Sequence, residues 1–151
     1  MQNAACLAGM ACSNSLFALA HSFGHALGAA FHVAHGRAVG LFLPYTIEFS
    51  IGGDAPTRYG EIAHHLHLAS ETERQGAVNL AQAVRELARQ AAQPMTIREL
   101  GISEAAFEAQ LDALVENAEA DSQTLTSVRV PTTAEFARLF RCAYIGCPVD
   151  F

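Results

Sequence analysis

The sequence contains no lysine, and all nine of its basic residues are arginines. Schiff-base catalysis and the phosphate-binding P-loop both require a lysine, so residue type alone excludes both. Charged residues make up only 16% of the chain, and the formal net charge is -6. The arginines are scattered, so no basic patch can follow a phosphate backbone. We therefore expect no binding to nucleic acid.

A Cys-x-x-Cys motif is also absent, because the spacing between the cysteines of each pair is larger (Cys6 and Cys12, Cys142 and Cys147). These spacings match no zinc or redox motif and predict reduced thiols. The apolar stretch over residues 4–31 lacks a preceding basic region and contains Asn14, His21 and Ser22. It is therefore not expected to be a signal peptide or a membrane span, and we expect a cytoplasmic protein.

The chain has 151 residues, of which 51% are hydrophobic. This length suits one domain with a sizeable core, and the composition excludes disorder. The apolar balance indicates further buried surface against a partner domain or a second subunit, as in a homodimer.

Helical periodicity dominates, with no sequence repeats and no sustained strand-like alternation. A buried, Ala/Leu-rich helix is predicted over residues 2–31, in which Gly24 and Gly28 allow another backbone to approach closely. A second helix is predicted over residues 36–49, where Pro44 is expected to kink or interrupt it.

Four further segments complete the predicted fold. A third helix covers residues 57–68, and a capping box formed by Ser70 and Glu73 begins a fourth that ends before Pro94. A single turn over residues 96–100 follows. Ser103 caps a segment that ends near Ala118, and a second capping box begins a last helix that stops at Gly146 (Thr132 and Glu135). The whole chain, residues 1–151, is thus predicted to be one all-α, bundle-like domain of six or seven helices.

Four of the seven histidines lie in the segment HSFGHALGAAFHVAHG, which begins at His21. His21 and His25 lie one helical turn apart on the same face, and His35 follows a glycine-containing turn, so three imidazoles can converge. Neutral imidazole binds iron, zinc, copper and nickel. Ser22 stands where a metalloprotease H-E-x-x-H motif needs glutamate, which excludes that class. The alternative is a pair of hydrogen-bonded core histidines.

The remaining polar and aromatic candidates are interpreted structurally. His32 is expected to be a loop residue at the edge of a cleft. His64, His65 and His67 diverge on a helix and are expected at the surface. Solvated faces are the default for the acidic residues outside the histidine segment (Glu116, Glu119, Asp121 and Asp150). Three phenylalanines at helical spacing are expected in the core (Phe107, Phe136 and Phe140).

The stretch AGMACSNSLFALAHSFGHALGAAFHVAHGRAVGLFLPYTIEF combines an A-G-x-x-x-S-N opening, an H-x-x-x-H pair and a later H-G before an apolar L-P helix. It resembles the signature region of the iron-containing (group III) alcohol dehydrogenases. The final segment, VRVPTTAEFARLFRCAYIGCPVDF, resembles the way members of that family end. The similarity spans essentially the whole chain and implies the family's C-terminal helical metal-binding domain, which is dehydroquinate synthase-like.

The resemblance also implies roles for the histidines. His21 and His35 correspond to two metal ligands, whereas helical spacing alone would pair His21 with His25. His25 corresponds to the histidine beside the nicotinamide and the reacting carbon, and so to a catalytic and cofactor-contacting residue. The implied cofactors are a divalent metal, Fe²⁺ first with Zn²⁺ or Ni²⁺ as alternatives, and NAD or NADP. The metal acts as a Lewis acid on the substrate oxygen while hydride moves to or from the nicotinamide.

The chain departs from the family pattern in several ways. Family members carry an N-terminal α/β domain that binds the nucleotide and supplies two further metal ligands, an aspartate and a histidine. That domain and its Gly-rich phosphate loop are absent here, and Met1 falls inside what should be an established helix. We therefore expect a truncated gene product, a separately cloned domain or one piece of a split protein. Ala34 stands where many family members have a proline before the last metal-binding histidine. Tyr45 stands where many members have another histidine.

The sequence thus predicts the metal-binding half of an NAD(P)-dependent alcohol dehydrogenase that interconverts small alcohols and aldehydes. The isolated chain is expected to be inactive without its N-terminal nucleotide-binding domain or split partner, because two histidines alone hold a metal poorly. The alternative is a stand-alone helical module for association or metal binding without redox activity. A related chemistry, that of a glycerol dehydrogenase or a maleylacetate reductase, is a further alternative.

Overall fold

A computed structural model describes residues 2–151, and Met1, with the helical position expected for it, lies outside the described residues. Within that range the protein has no strand, which confirms the all-α prediction. Two short 3-10 helices, Arg98–Leu100 and Ser122–Thr126, interrupt the connections. The seven α-helices are α1 (Gln2–Cys12), α2 (Ala18–Phe31), α3 (His35–Ile51), α4 (Tyr59–His65), α5 (Glu73–Gln90), α6 (Glu104–Ala120) and α7 (Thr133–Ile145).

The N-terminal segment forms two helices, so the prediction of one helix over residues 2–31 is wrong. The helix is interrupted between α1 and α2, where Leu16 and Ala18 adopt left-handed backbone conformations with φ of 60° and 55°. Such conformations are unfavourable for residues with a Cβ, so tertiary contacts must hold them. One such contact is the Phe17 amide N–H, which donates to Gln123 Oε1 at 2.7 Å. Helix α1 buries none of its side chains.

Helix α3 continues through Pro44, so the predicted interruption is absent, and a kink at this residue stays a prediction. A proline inside a helix removes one backbone hydrogen bond and clashes with the preceding turn, at a cost of about 3 kcal/mol. Packing outweighs this cost, because α3 buries large side chains on both sides of the proline, including Phe42, Tyr45 and Phe49. Among the described residues, no helix combines the length and the apolar character needed to cross a membrane.

The centre of the core is a group of aromatic rings from α2, α3 and α7. Phe23 packs against Phe42 and Phe140 with ring centroids 5.1 Å and 4.6 Å apart, and against Phe136 at 5.2 Å. Phe107 of α6 stacks on Tyr144 at 4.6 Å. The three phenylalanines predicted in the core are each at most 1% exposed, so that prediction is confirmed (Phe107, Phe136 and Phe140).

The helix caps agree only in part with the sequence prediction. Ser103 and Thr132 cap α6 and α7, and Thr132 forms the predicted capping box with Glu135. Helix α5, however, is capped by Thr72, whose hydroxyl accepts from the Gln75 amide at 3.1 Å, so Ser70 was the wrong residue.

The close approach predicted at the α2 glycines is present. A Cβ added at Gly24 would lie 2.7 Å from Val39 Cγ2 and 2.9 Å from Val39 Cα, so the backbones of α2 and α3 nearly touch there. A Cβ added at Gly28 would lie 3.2 Å from the carbonyl oxygen of Val33. These contacts set how close the start of α3 comes to the histidine-bearing face of α2.

Candidate functional site

Three histidine rings meet where α2 runs beside the start of α3. The ring centroids of His21 and His25 are 5.6 Å apart, those of His21 and His35 are 5.4 Å apart, and those of His25 and His35 are 5.3 Å apart. The structure therefore brings together all three site residues named from the sequence. We refer to His21, His25 and His35 as the histidine cluster.

Local structure explains why the rings converge. His21 and His25 are four residues apart in α2, so both project from the same helical face. Helix α2 ends at Phe31, and the left-handed conformation of the next residue, His32, with φ of 55°, turns the chain sharply. After this turn His35 is the first residue of α3, and the close contact between Gly24 and Val39 holds the two helices together.

The histidine cluster lies at an open surface. His25 and His35 are exposed, and only His21 is partly buried. Burial lowers the pKa of His21, and the neighbouring positive charges that protonated His35 and His25 would carry lower it further. The pKa of His21 lies below its usual value of 6.5, so this imidazole is neutral at pH 7. Neutral imidazole is the form that binds metal ions.

A carboxylate contacts the cluster. Asp121 Oδ2 lies 2.7 Å from His25 Nδ1, and the Asp121 side chain is only 15% exposed. An ionised carboxylate accepts hydrogen bonds only, so Nδ1 of neutral His25 carries the proton and donates it to Asp121. Nε2 is then the ring nitrogen of His25 with a free lone pair.

Asp121 is held in place by the turn that follows α6. Its Oδ1 accepts from the Gln123 amide at 2.8 Å, which caps the 3-10 helix Ser122–Thr126. Inside this turn the buried hydroxyls of Thr124 and Ser22 lie 2.8 Å apart, and Thr124 Oγ1 also donates to the Ala118 carbonyl at 2.7 Å. Ser22 thus fixes the turn to α2, next to His21 and His25.

The prediction of a solvated face was wrong for Asp121, which contacts His25 across 96 residues of sequence. A separation of that size leaves no spacing pattern to detect. Phe17 is a second residue that the sequence did not point to, with its ring centroid 4.3 Å from that of His21. Asp121 follows α6 and Phe17 precedes α2, and neither position carried a sequence signal for contact with the histidines.

The remaining histidines and acidic residues are exposed, as predicted, and the placement of His32 at the edge of a cleft stays a prediction. His32 is an exposed residue at the end of α2, and exposed positions are also found for His64, His65, His67, Glu116, Glu119 and Asp150. Tyr45 is buried and donates its hydroxyl to the Met95 carbonyl at 2.7 Å. It lines a separate cleft of about 1070 Å³ beside α5, which none of the clustered histidines lines.

The cluster supplies part of a metal site at most. Within residues 2–151, no group of three or more His, Cys, Asp or Glu side chains is arranged to hold a metal ion. Rings bound tetrahedrally to one ion through nitrogens at about 2.0–2.1 Å would have centroids roughly 5 Å apart. Every pair in the cluster is near this separation, so distance alone does not distinguish ligands from neighbours.

Comparison with known families identifies the domain. The sequence model described as "Fe-containing alcohol dehydrogenase family, C-terminal" matches residues 1–144. The chain belongs to this family. Its all-α fold is therefore that of the C-terminal domain of this family, as the sequence motifs implied.

Individual relatives agree with this assignment. The chain is 38% identical over its full length to an NADPH-dependent butanol dehydrogenase of Clostridium saccharobutylicum. It is 32% identical, over 97% of its length, to the bifunctional aldehyde-alcohol dehydrogenase AdhE of Escherichia coli. The solved structure of an alcohol dehydrogenase from Oenococcus oeni superposes on 91% of the chain with a TM-score of 0.79 and 27% identity.

The chain spans only part of these proteins. It covers 39% of the butanol dehydrogenase, 18% of the bifunctional enzyme and 35% of the Oenococcus oeni chain. The chain thus corresponds to one part of these longer proteins.

Proposed function

We propose that this domain provides the metal-binding part of an NAD(P)-dependent alcohol dehydrogenase site that interconverts small alcohols and aldehydes. The observation that carries the proposal is the convergence of His21, His25 and His35 in a domain of the Fe-containing family. The similarity to an enzyme named as an NADPH-dependent butanol dehydrogenase supports the substrate class and the nucleotide.

His21 and His35 would hold the divalent metal, Fe²⁺ in the first instance, with Zn²⁺ or Ni²⁺ as alternatives. The residues present fit such an ion, because two imidazoles lie 5.4 Å apart between centroids and the lowered pKa of His21 keeps that ring neutral. When bound, the ion would supply Lewis acidity toward the substrate oxygen. Two ligands leave coordination positions for groups from outside this chain.

His25 would serve the substrate and the nicotinamide. Its Nδ1 is occupied by Asp121, so its free Nε2 can accept a proton from, or orient, a polar group in the adjoining space. Its side chain is 40% exposed, so it is accessible to a ligand bound beside the cluster. Asp121 would act as a positioning residue that keeps this ring in one tautomer and one orientation.

The nucleotide would bind mainly outside this domain. Phosphate recognition by such enzymes needs a glycine-rich turn at a helix N-terminus, and the chain lacks that motif. An N-terminal nucleotide-binding domain or a split partner would also complete the metal coordination, which is why the isolated chain is expected to be inactive.

Metal binding tests the assignment of the histidines. The chain with isotope-labelled histidine is titrated with Ni²⁺, and paramagnetic broadening of each ring signal is followed by NMR. We expect His21→Ala and His35→Ala to weaken binding at least about tenfold, or about 1.4 kcal/mol. His25→Ala should leave the affinity within about threefold, since His25 is not assigned as a ligand.

The surface variant His64→Ala is the matched control, because it removes an exposed imidazole outside the cluster. If His25→Ala abolishes binding and His35→Ala does not, the ligands are the helical pair His21 and His25. Binding that survives in all three cluster variants would refute the metal site altogether.

The second hypothesis, a stand-alone association or metal-binding module, shares the metal but not the redox step. It predicts that His25→Ala has no effect on any activity, even when a nucleotide-binding domain is supplied. The exposed cluster favours the dehydrogenase, since a self-sufficient metal site would carry more of its ligands itself.

A further inference from the structure

The C-terminal end of α7 brings two cysteines together. Gly146 adopts a left-handed conformation with φ of 87° and ends the helix. The backbone N–H groups of Gly146 and Cys147 both donate to the Cys142 carbonyl, at 2.7 Å and 3.1 Å. In this type of helix end, an apolar side-chain contact between the residues that correspond to Cys142 and Cys147 is frequent.

The two thiols differ in their environments. Burial raises the pKa of Cys142 to about 12, and contact with the Cys147 thiol adds to the increase. Both side chains are only partly buried, and both are free thiols. Cys142 is therefore a weak nucleophile, because the thiolate is the reactive form.

The segment that carries Cys147 is held against the domain. The Val149 amide donates to Glu48 Oε2 at 3.1 Å. The Phe151 carbonyl accepts from Arg129 Nη1 at 2.8 Å, and the Arg138 guanidinium lies 3.6 Å from the centroid of the Phe151 ring. A bond between the two cysteines would thus join groups that the fold already holds together.

We propose that Cys142 and Cys147 form a redox-active thiol pair, which a small organic disulfide converts reversibly into an intramolecular disulfide. The bond would tie the last residues of the chain covalently to α7. This site uses none of the residues of the histidine cluster and stands whether or not the proposed dehydrogenase function holds.

The reaction proceeds by two exchanges. The Cys147 thiolate attacks one sulfur of the small disulfide, whose S–S bond breaks and releases one small thiol, leaving a mixed disulfide on Cys147. Cys142 then loses its proton to water and attacks Cys147 Sγ, and a second small thiol leaves. Two protein thiols are oxidised to one disulfide, and the small disulfide is reduced to two thiols. The second step is eased because Cys147, once bonded, no longer raises the pKa of Cys142 by its charge.

The chain offers a direct test, because trypsin cleaves after arginine and the last arginine is Arg141. The peptide 142–151 therefore contains Cys142 and Cys147 and no other cysteine, while Cys6 and Cys12 fall in the peptide 1–37. The folded chain is incubated with oxidised glutathione, quenched with acid, alkylated with iodoacetamide and digested. We expect peptide 142–151 to carry no alkyl group and to have lost two hydrogens. Dithiothreitol should restore both alkylation sites.

Single variants test the order of the two steps. Cys142→Ser should leave a stable glutathione adduct on Cys147, because the second thiol is missing. Cys147→Ser should leave Cys142 largely unmodified by glutathione. Full alkylation of both cysteines in the wild-type peptide, a lasting glutathione adduct, or a disulfide between two chains would each overturn the proposal.

Discussion

At the scale of single residues, the contact between His25 and Asp121 has the clearest chemical consequence. The proton of a neutral histidine can lie on either ring nitrogen. Here a carboxylate lies 2.7 Å from Nδ1 and fixes the proton on that nitrogen. Carboxylate partners of this kind orient the functional imidazoles of many metal and hydrolase sites. The orientation of His25 therefore depends on a residue of the turn after α6.

Replacing Asp121 with asparagine tests this dependence. The substitution keeps the size and the capping oxygen of the side chain but removes the charge and adds an N–H donor. We expect neutral His25 to shift its proton from Nδ1 to Nε2, as read from the ring nitrogen chemical shifts in NMR. Stability should fall by about 1 kcal/mol, the usual net value of one hydrogen bond.

Glu119→Gln is the matched control, since Glu119 is an exposed carboxylate two residues before Asp121 in the sequence. It should leave the His25 nitrogen shifts unchanged. An unchanged tautomer in the Asp121→Asn variant would show that the carboxylate does not set the protonation of this ring.

At the scale of elements, the site depends on how closely α2 and α3 approach each other. Gly24 allows this approach, because a Cβ there would lie 2.9 Å from the Val39 Cα atom. Atoms of a helix backbone cannot move aside as a flexible side chain can. The relative position of His25 on α2 and His35 on α3 is thus set by the absence of one methyl group.

Gly24→Ala is accordingly expected to destabilise the domain by about 1–3 kcal/mol through overpacking, as measured by urea denaturation. The comparison variant is Gly9→Ala in α1, where nothing lies within 4 Å of the added Cβ. That variant should be neutral or slightly stabilising, since alanine favours helix more than glycine does. Equal effects at the two positions would contradict the close contact.

In the turn before α3, by contrast, a substitution is expected to stabilise the domain. Ala34 has φ of -56° and ψ of 132°, and no hydrogen bond in the described residues uses its amide N–H. Proline fits this backbone conformation and restricts the unfolded chain. We expect Ala34→Pro to raise the free energy of unfolding by about 0.4–1 kcal/mol, and Ala34→Gly to lower it. A loss of stability in the proline variant would show that the amide or the preceding residue resists the change.

At the scale of the whole molecule, the domain is a well-packed bundle whose histidine cluster lies at an open surface. Its aromatic core is closed by α2, α3, α6 and α7, while two of the three clustered histidines and all of α1 except Cys12 are exposed. The chain covers only 39% of one relative and 18% of another, so both relatives are more than twice its length. The chain contains a complete hydrophobic core for folding. The proposed reaction also needs a nucleotide-binding domain and further metal ligands from outside this chain.

A chimera tests this division. The corresponding 39% of the Clostridium saccharobutylicum butanol dehydrogenase is replaced by this chain, and NADPH-dependent reduction of butanal is measured. We expect activity in the chimera and none in the isolated chain. His25→Ala should lower kcat of the chimera by about 10²- to 10⁴-fold, the range for loss of an acid–base group. NADPH binding by the variant serves as the control for folding, and reduction of butanal by the isolated chain would disprove the need for a second domain.

Much of the fold could be predicted from the sequence, because local rules were sufficient there. The Thr132 capping box, the core positions of Phe107, Phe136 and Phe140 and the helical spacing of His21 and His25 all depend on residues within one or two turns. The break at Leu16 and the unbroken passage of α3 through Pro44 could not be predicted. In both cases long-range packing outweighs a local preference.

The sequence by itself determined the all-helical class, the family and which three histidines can converge. Short-range periodicity and motif residues are properties of the chain before it folds. Only the tertiary structure decided that Asp121 contacts His25 and that Ser22 fixes the turn beside the cluster. Both contacts depend on packing between segments about 100 residues apart, and no local pattern encodes that distance.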